Sequence, residues 1–441
     1  MSTVTVDPST VLPDEGPIEH RIVEKRSVKT ATILAVATAL LALLLVASPR
    51  QGKTNFQITL GNEFFSIGEG GVVAVPAVPF AWICVAIMAV LTVVAFVLSY
   101  RYSKFPGWAS AVFGLLAVAA FLSWAGAGAQ GRLNVVGLIG NAILVAIPLV
   151  FGALGGVIGE RAGVVNIAIE AQLLMAAFTG AVVGSLTANA WVGLLAAILA
   201  GAGVAAILGV FAINYRVEQV IVGVVLNVLI IGVTTFLFSA WLQTDMQRLN
   251  STLEHRFPDI AIPLLSRIPI IGPALFNRPV IVYIMYVAVA AVWFALYRTR
   301  WGLRTRAVGE HPKAADTVGI KVNATRWLAV LIAGAIVGIG GASYTLVSNP
   351  SFNREMTAGF GYIALAAVIF GNWDPIRASL AGLLFGFAIN LQSVLSVIGS
   401  PVPSQFMLML PYVVTLLAVA GLVGKSRAPA ADGVAYTVEG H

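Results

Sequence analysis

The sequence predicts an all-α polytopic membrane protein with about ten to twelve transmembrane helices. Of its 441 residues 59% are hydrophobic and only 10% charged, with a mean hydropathy of +0.93; a soluble domain carries about 25% charge. Apolar runs long enough to cross a bilayer, about 20 residues each, recur along the chain. Lys and Arg are unevenly shared among the segments between them. Length alone would suggest about three soluble domains, but this composition describes one membrane domain.

Residues 1–29 set Pro8, Pro13 and Pro17 among acids and hydroxyls, the composition of a disordered tail. The run at 30–48 is too long for a signal-peptide core and reads as an uncleaved anchor. Further runs fall at 79–100, 107–125, 135–158, 190–213, 219–242, 279–297, 326–347, 377–400 and 406–424. Two weaker candidates remain: 163–187 opens on polar residues, and 358–373 is short and contains glycine. Counting both gives twelve spans; counting neither gives ten. With twelve spans and the N-terminus inside, cytoplasmic segments hold 18 of the 26 Lys and Arg, and external ones 8. Basic residues collect on the cytoplasmic side, so both termini are expected there. The net charge of +7 reflects the same bias and needs no nucleic-acid partner.

Two loops are large. The external loop 243–278 mixes charge, proline and short apolar patches and suits a surface cap or docking platform. The cytoplasmic loop 298–325 is expected to form a short helix over 307–317, with Pro312 near its start and Gly319 closing it. Arginines on either side would hold it along the membrane, as a contact for a cytoplasmic partner. The residues after 425 look like a second disordered tail.

Little in the chain suggests catalysis. Cys84 is the single cysteine, which excludes an intramolecular disulfide, and His20, His255, His311 and His441 have no metal-ligand spacing. GLVGKS at 421–426 lacks the earlier glycine of a phosphate-binding loop, whose place Val419 takes. GIGGAS at 338–343 lies inside an apolar span, where small residues allow close helix packing. With no ATP motif and no catalytic or metal-ligating set, the chain reads as no enzyme; an ATP-driven process would need a separate subunit.

The informative segment is GERAGVVNIAIEAQ at 159–172, a polar string between apolar runs. A carboxylate at the bilayer centre costs roughly 2.5–3.5 kcal/mol on insertion scales, so these groups must face protein, cytoplasm or a watery path. Asn166 and Glu170 are four apart and share a helical face. They either line a solute path or form a buried hydrogen-bonded pair. Asn227, Asn390 and Gln392 are lone amides within spans, open to the same two readings. Glu160 and Arg161 suit an ion pair or a partner contact at the cytoplasmic end.

The segment GERAGVVNIAIEAQLLMAAF resembles the signature of permease subunits of bacterial ABC importers in the branched-chain amino acid and simple-sugar superfamily. It is most similar to the nucleoside-uptake branch, which works with a basic-membrane-protein-type lipoprotein. Glu160, Arg161, Gly163, Val164, Val165, Asn166, Ile167, Ile169 and Glu170 match that pattern, while Ala168 and Ala171 stand where glycine is usual. TRWGLRTRAVGEHPKAADTVGIKVNATR resembles the family's ATPase-coupling segment through Gly302, Leu303, Arg306, Ala307, Gly309, Pro312, Ala314, Ala315, Gly319 and Ile320; Glu310 lies within it. IFGNWDPIRASLAGLLFG is similar to a glycine–tryptophan–proline turn of the family through Gly371, Trp373, Pro375 and Gly382, with Asn372 replacing a frequent glycine.

The resemblance implies a type II ABC importer-like permease fold, with a core at 133–424, accessory helices at 30–132 and a cytoplasmic tail at 425–441. It implies transport of nucleosides by alternating access, with ATP and Mg bound on a partner ATPase subunit. It further implies a sister permease, in a heterodimer or a homodimer, and an external substrate-binding lipoprotein, all on a bacterial plasma membrane. Simple sugars or branched-chain amino acids are the alternative solutes within the superfamily. An ion-coupled secondary transporter is the rival from another class; it would place ionisable residues deep in several spans, and here only Glu170 qualifies.

Overall fold

A computed structural model describes residues 28–57, 72–103, 105–129, 131–252, 255–397, 405, 409 and 427–437. Its helices are α1 (Lys29–Ala47), α2 (Ala77–Tyr100), α3 (Gly107–Ala125), α4 (Val135–Arg161), α5 (Ile169–Thr187), α6 (Ala190–Gly209), α7 (Gln219–Leu237), α8 (Met246–Leu249), α9 (Ile271–Phe276), α10 (Val280–Arg298), α11 (Arg300–Glu310), α12 (Pro312–Thr317), α13 (Val322–Ser343), α14 (Phe360–Phe370) and α15 (Pro375–Val397). The strands are β1 (Lys53–Gln57), β2 (Val72–Pro76), β3 (Leu133–Asn134), β4 (Asp259–Ala261) and β5 (Asn277–Pro279). Ten helices among the described residues are long and apolar enough to cross a membrane. Those of α6, α7 and α13 continue into a π-helical turn, at Val210–Asn214, Phe238–Leu242 and Tyr344–Ser348.

The strong apolar runs up to 377–400 all appear as such helices. The run at 406–424, the GLVGKS segment and residues 1–27 lie wholly or almost wholly outside the described residues. The weaker run at 163–187 becomes α5, which starts only at Ile169 after a non-helical turn. The other, 358–373, becomes α14, a helix of 11 residues. At 1.5 Å per residue that is about 16 Å, half the hydrocarbon thickness. The preceding residues 349–359 form no helix; they are largely exposed, with Phe352 and Thr357 buried against the protein.

The core is built around α4, whose residues from Ala146 to Glu160 are buried throughout. Lipid tails are as apolar as leucine, so helices in a bilayer associate through close packing at small residues. Gly152 of α4 faces Ala364, and Gly155 faces Val337. Helices α6 and α13 cross at Gly201, Gly334 and Gly338. Large apolar side chains on the outer helices, such as Val93, Leu199, Val228 and Val287, stay exposed, which suits lipid.

Helices α1–α3 pack together and meet the far end of α15, where Leu45, Cys84 and Trp124 join Leu391 and Leu395. At that end β1 pairs antiparallel with β2 and parallel with β3, setting Phe56 opposite Leu133 and Gln57 opposite Asn134. Among its described residues the loop 243–278 contains no span; it folds as short helices with the β4–β5 antiparallel pair.

Two expectations need correcting. The single helix expected over 307–317 is two helices, α11 and α12, broken at His311. Pro312 lacks the N–H that would continue the ladder and instead takes the first position of a new helix. The C-terminal segment is ordered where it was expected to be disordered: residues 427–437 pack on α11, α12, α13 and the α4–α5 turn, with Ala431 and Tyr436 buried. Composition misses this because the contacts are main-chain hydrogen bonds to distant segments.

Candidate functional site

The polar string folds as the end of α4, a turn at 162–168 and the start of α5. Glu170, in the first turn of α5, is buried and receives three hydrogen bonds from one stretch of chain. Thr357 Oγ1 and the Gly359 N–H donate to Oε1 at 2.6 and 2.8 Å, and the Gly361 N–H donates to Oε2 at 2.6 Å. Gly359 is the N-cap of α14. Glu170 therefore caps a half-length helix from a neighbouring one, placing negative charge where free N–H groups and the helix dipole are positive. A side chain at Gly361 would collide with the Glu170 backbone, so only glycine permits this approach.

Four amides hold the turn itself. Asn166 and Gln172 exchange hydrogen bonds through both amide groups, each 3.1 Å long. Asn227 of α7 accepts from the Ala171 N–H at 2.9 Å and donates to Ile167 O and the Tyr362 hydroxyl, each at 3.0 Å. Gln219 accepts from the Val165 N–H at 2.7 Å. Asn390 lies elsewhere, on α15, and donates to Leu138 O at 2.8 Å. Gln392 sits one half-turn on, half-buried, its carbonyl accepting from Ser396. The structure thus gathers Asn166, Glu170 and Asn227 and leaves Asn390 and Gln392 apart.

At the other side of the turn, buried Glu160 accepts from the Trp373 indole. Arg161 donates through Nε to Trp373 O at 3.0 Å and through Nη2 to Asn372 O at 3.4 Å, and its Nη1 stands 3.9 Å from Glu310 Oε1. Asn372 and Trp373 both have φ of +54°, a region costly for residues with a Cβ. Glycine would take that conformation without this cost, and asparagine tolerates it better than most residues.

Helix α11 begins at Thr299, whose hydroxyl accepts from the Gly302 N–H at 3.1 Å. Arg306 stacks over Tyr297, 5.0 Å from the ring centroid. Ala307 packs against a small cluster of Val308, Ala315, Val322 and Tyr436. Gly309 lies so close to Arg161 O that any Cβ would clash. Pro312 opens α12, Ala314 is exposed on it, and Gly319 turns the chain away with φ of +82°. Leu303 and Val318 stay 62% and 74% exposed, leaving an apolar outer surface on this segment.

Sequence reasoning missed several members of the assembly: Trp373 as the partner of Glu160, Thr357 and Gly361 around Glu170, Gln219, and Arg326. Arg326, 1% exposed, donates from Nη1 to Val434 O at 2.9 Å. An arginine at the edge of an apolar run was the available signal for the last.

A family model described as "Branched-chain amino acid transport system / permease component" matches residues 138–419. The chain is 37% identical over 312 residues to the nucleoside ABC transporter permease protein NupC of Lactococcus lactis subsp. cremoris, covering 68% of this chain and 96% of that protein. It is 40% identical over 321 residues to the guanosine ABC transporter permease protein NupQ of Bacillus subtilis, covering 69% and 98%. A glucose ABC transporter permease protein of Haloferax volcanii, TsgB13, is 28% identical over 251 residues, covering 54% and 65%. No solved structure matches.

Proposed function

The chain belongs to the branched-chain amino acid transport system permease family, and from that membership we propose that it is the membrane-spanning subunit of an ATP-driven importer of nucleosides. It is a multi-pass protein of the plasma membrane. The observation that carries the mechanism is the junction at Gly309, where α11 touches the end of α4 with no side chain between them. An ATPase subunit, binding ATP and Mg on its own chain, docks on α11 and α12 through the apolar surface of Leu303 and Val318. Its closure pushes α11 against Arg161 and so against the turn that leads into α5. Glu170 ties α5 to α14, so the half-helix moves with it and the path switches from one opening to the other. The polar groups around Asn166, Glu170 and Asn227 hold that moving unit together, and the solute passes beside it.

In this reading both termini and α11–α12 face the cytoplasm. The loop 243–278 receives the loaded binding lipoprotein outside, and a sister permease supplies the other half of the path, in a heterodimer with a homodimer as the alternative. Residues 133–424 form the permease core and 30–132 an added unit.

Uptake of labelled guanosine by cells with and without the gene tests the solute, with glucose, ribose and leucine as competitors. Loss of guanosine uptake on deletion, indifferent to those competitors, is the expected result. Unchanged guanosine uptake with lost uptake of glucose would transfer the assignment to sugars, the solute class in the name of TsgB13.

A further inference from the structure

Residues 427–437 touch every part of the junction just described. The Arg427 N–H donates to Asn372 Oδ1 at 3.1 Å, in the turn after α14. The Ala430 N–H donates to Glu310 Oε2 at 3.2 Å, and the Ala431 N–H to Gly309 O at 2.9 Å, both at the end of α11. Val434 O accepts from Arg326 at the start of α13. A Cβ on Gly163 would stand 3.0 Å from Ala431 O, and one on Gly433 3.4 Å from Val165, so the segment lies against the α4–α5 turn. Tyr436 completes the cluster of Val308, Ala315 and Val322, which belong to α11, α12 and α13.

Beside the Gly309 contact, the charged tie between α11 and α4 among the described residues is one Arg161–Glu310 pair at 3.9 Å, with Glu310 48% exposed. A solvent-exposed pair of that kind contributes little. The C-terminal segment adds hydrogen bonds to α11, to the start of α13 and to the turn after α14, and lies in contact with the α4–α5 turn. It also supplies the carbonyl that partners the buried Arg326 guanidinium, and an unpartnered buried charge is strongly destabilising. Four separate pieces of chain meet on this one strip.

We infer that residues 427–437 are a permanent strut of the coupling machinery, clamping α11 and α12 to the α4–α5 turn so that motion of the ATPase subunit reaches the membrane helices. This rests on the reading of the chain as an ABC importer permease. It adds a structural part outside the matched residues 138–419. Arg326 and Tyr436 act in it as positioning residues.

The test uses the complete transporter, with its ATPase, sister permease and binding protein, reconstituted in vesicles. Three chains are compared: full length, a truncation after Ser426, and a Cys84→Ser chain carrying Ala430→Cys and Glu310→Cys bridged by a short bis-maleimide. The truncated complex is expected to assemble and hydrolyse ATP, yet to lose stimulation by the binding protein and at least tenfold of its uptake per ATP. The bridged chain is expected to transport like the same cysteine chain before bridging, because a strut never needs to release. Uptake per ATP by the truncation within twofold of full length would overturn the inference, as would loss of uptake on bridging, which would make the segment a releasable latch. Should the truncation fail to assemble, Tyr436→Ala, which leaves the main-chain bonds in place, is expected to lower uptake per ATP several-fold; no change would overturn the strut. If the unaltered complex takes up no guanosine, the nucleoside reading fails alone, and the strut is still read from stimulated hydrolysis.

Discussion

Glu170 and Glu160 flank the same turn, both buried, and their surroundings differ. Glu170 takes three hydrogen bonds from a single short stretch of chain, all within 2.8 Å. Glu160 has the Trp373 indole on one oxygen, while its other oxygen, Nε and Nη2 of Arg326 and Oδ1 of Asp432 have no hydrogen bond among the described residues. A saturated carboxylate has nothing to gain by moving, whereas an under-bonded buried cluster has less to lose by rearranging. The membrane side of the turn is therefore gripped by side-chain bonds to one carboxylate, while the end that meets α11 is held mainly by the main chain of residues 427–437.

The comparison can be broken most sharply at Glu170. Glu170→Ala orphans two backbone N–H groups and a hydroxyl in a dry site, and is expected to cost at least about 3 kcal/mol, read as a lower melting temperature of the purified protein and reduced membrane yield. A variant as stable as the parent would show that α14 needs no cap. Gly361→Ala forces a methyl group into the Glu170 backbone and should cost about 1–3 kcal/mol; an unchanged melting temperature would mean that the two helices can separate freely. On the other side, Trp373→Phe removes the indole donor of Glu160 and should cost about 1.5–3 kcal/mol. The contrast sharpens if uptake per ATP falls more than stability does.

A gentler probe is pH. Burial pushes the Asp432 carboxyl up from 3.8 to about 7, against the pull of the Gly433 N–H and of Arg326 on α13. Glu160 of α4 faces the same cluster. The docked segment holds this proton more tightly than a free one, so docking is strongest below pH 3.8, weakens as pH rises, and levels off above about 7. Protease cleavage after Arg427 should accelerate between pH 5 and 7, and Asp432→Asn should flatten that dependence; a flat profile in the parent chain would refute it. The smallest effect belongs to Glu310→Gln, under about 1 kcal/mol because the pair with Arg161 is half exposed, measured by the same melting curve.

Much of this was legible beforehand. Runs such as 79–100 and 219–242 announce themselves because bilayer thickness dictates their length and hydrocarbon excludes charge. The string 159–172 stood out because its groups are too costly to leave unpartnered in lipid. What those groups bind was not legible: Thr357 and Gly361 are distant in sequence from Glu170, and nothing local to 357–361 marks it as a helix start. The shortness of α14 was visible in the short run at 358–373, but its capping by Glu170 was not. The break at His311 was half visible in Pro312. The docking of residues 427–437 left no periodic trace, because backbone groups form most of it.

Backbone pairing has a further consequence at the opposite end of the molecule. Strand β1 lies parallel to β3, and β3 runs directly into α4, just before the matched residues begin at 138. Hydrogen bonds of a strand pair ask nothing of side-chain identity. An N-terminal extension joined to its neighbour in this way can drift in sequence from one lineage to the next while the seam survives. Relatives with unrelated leading segments could thus share one mode of attachment, which alignment of residues would not reveal and comparison of backbones would.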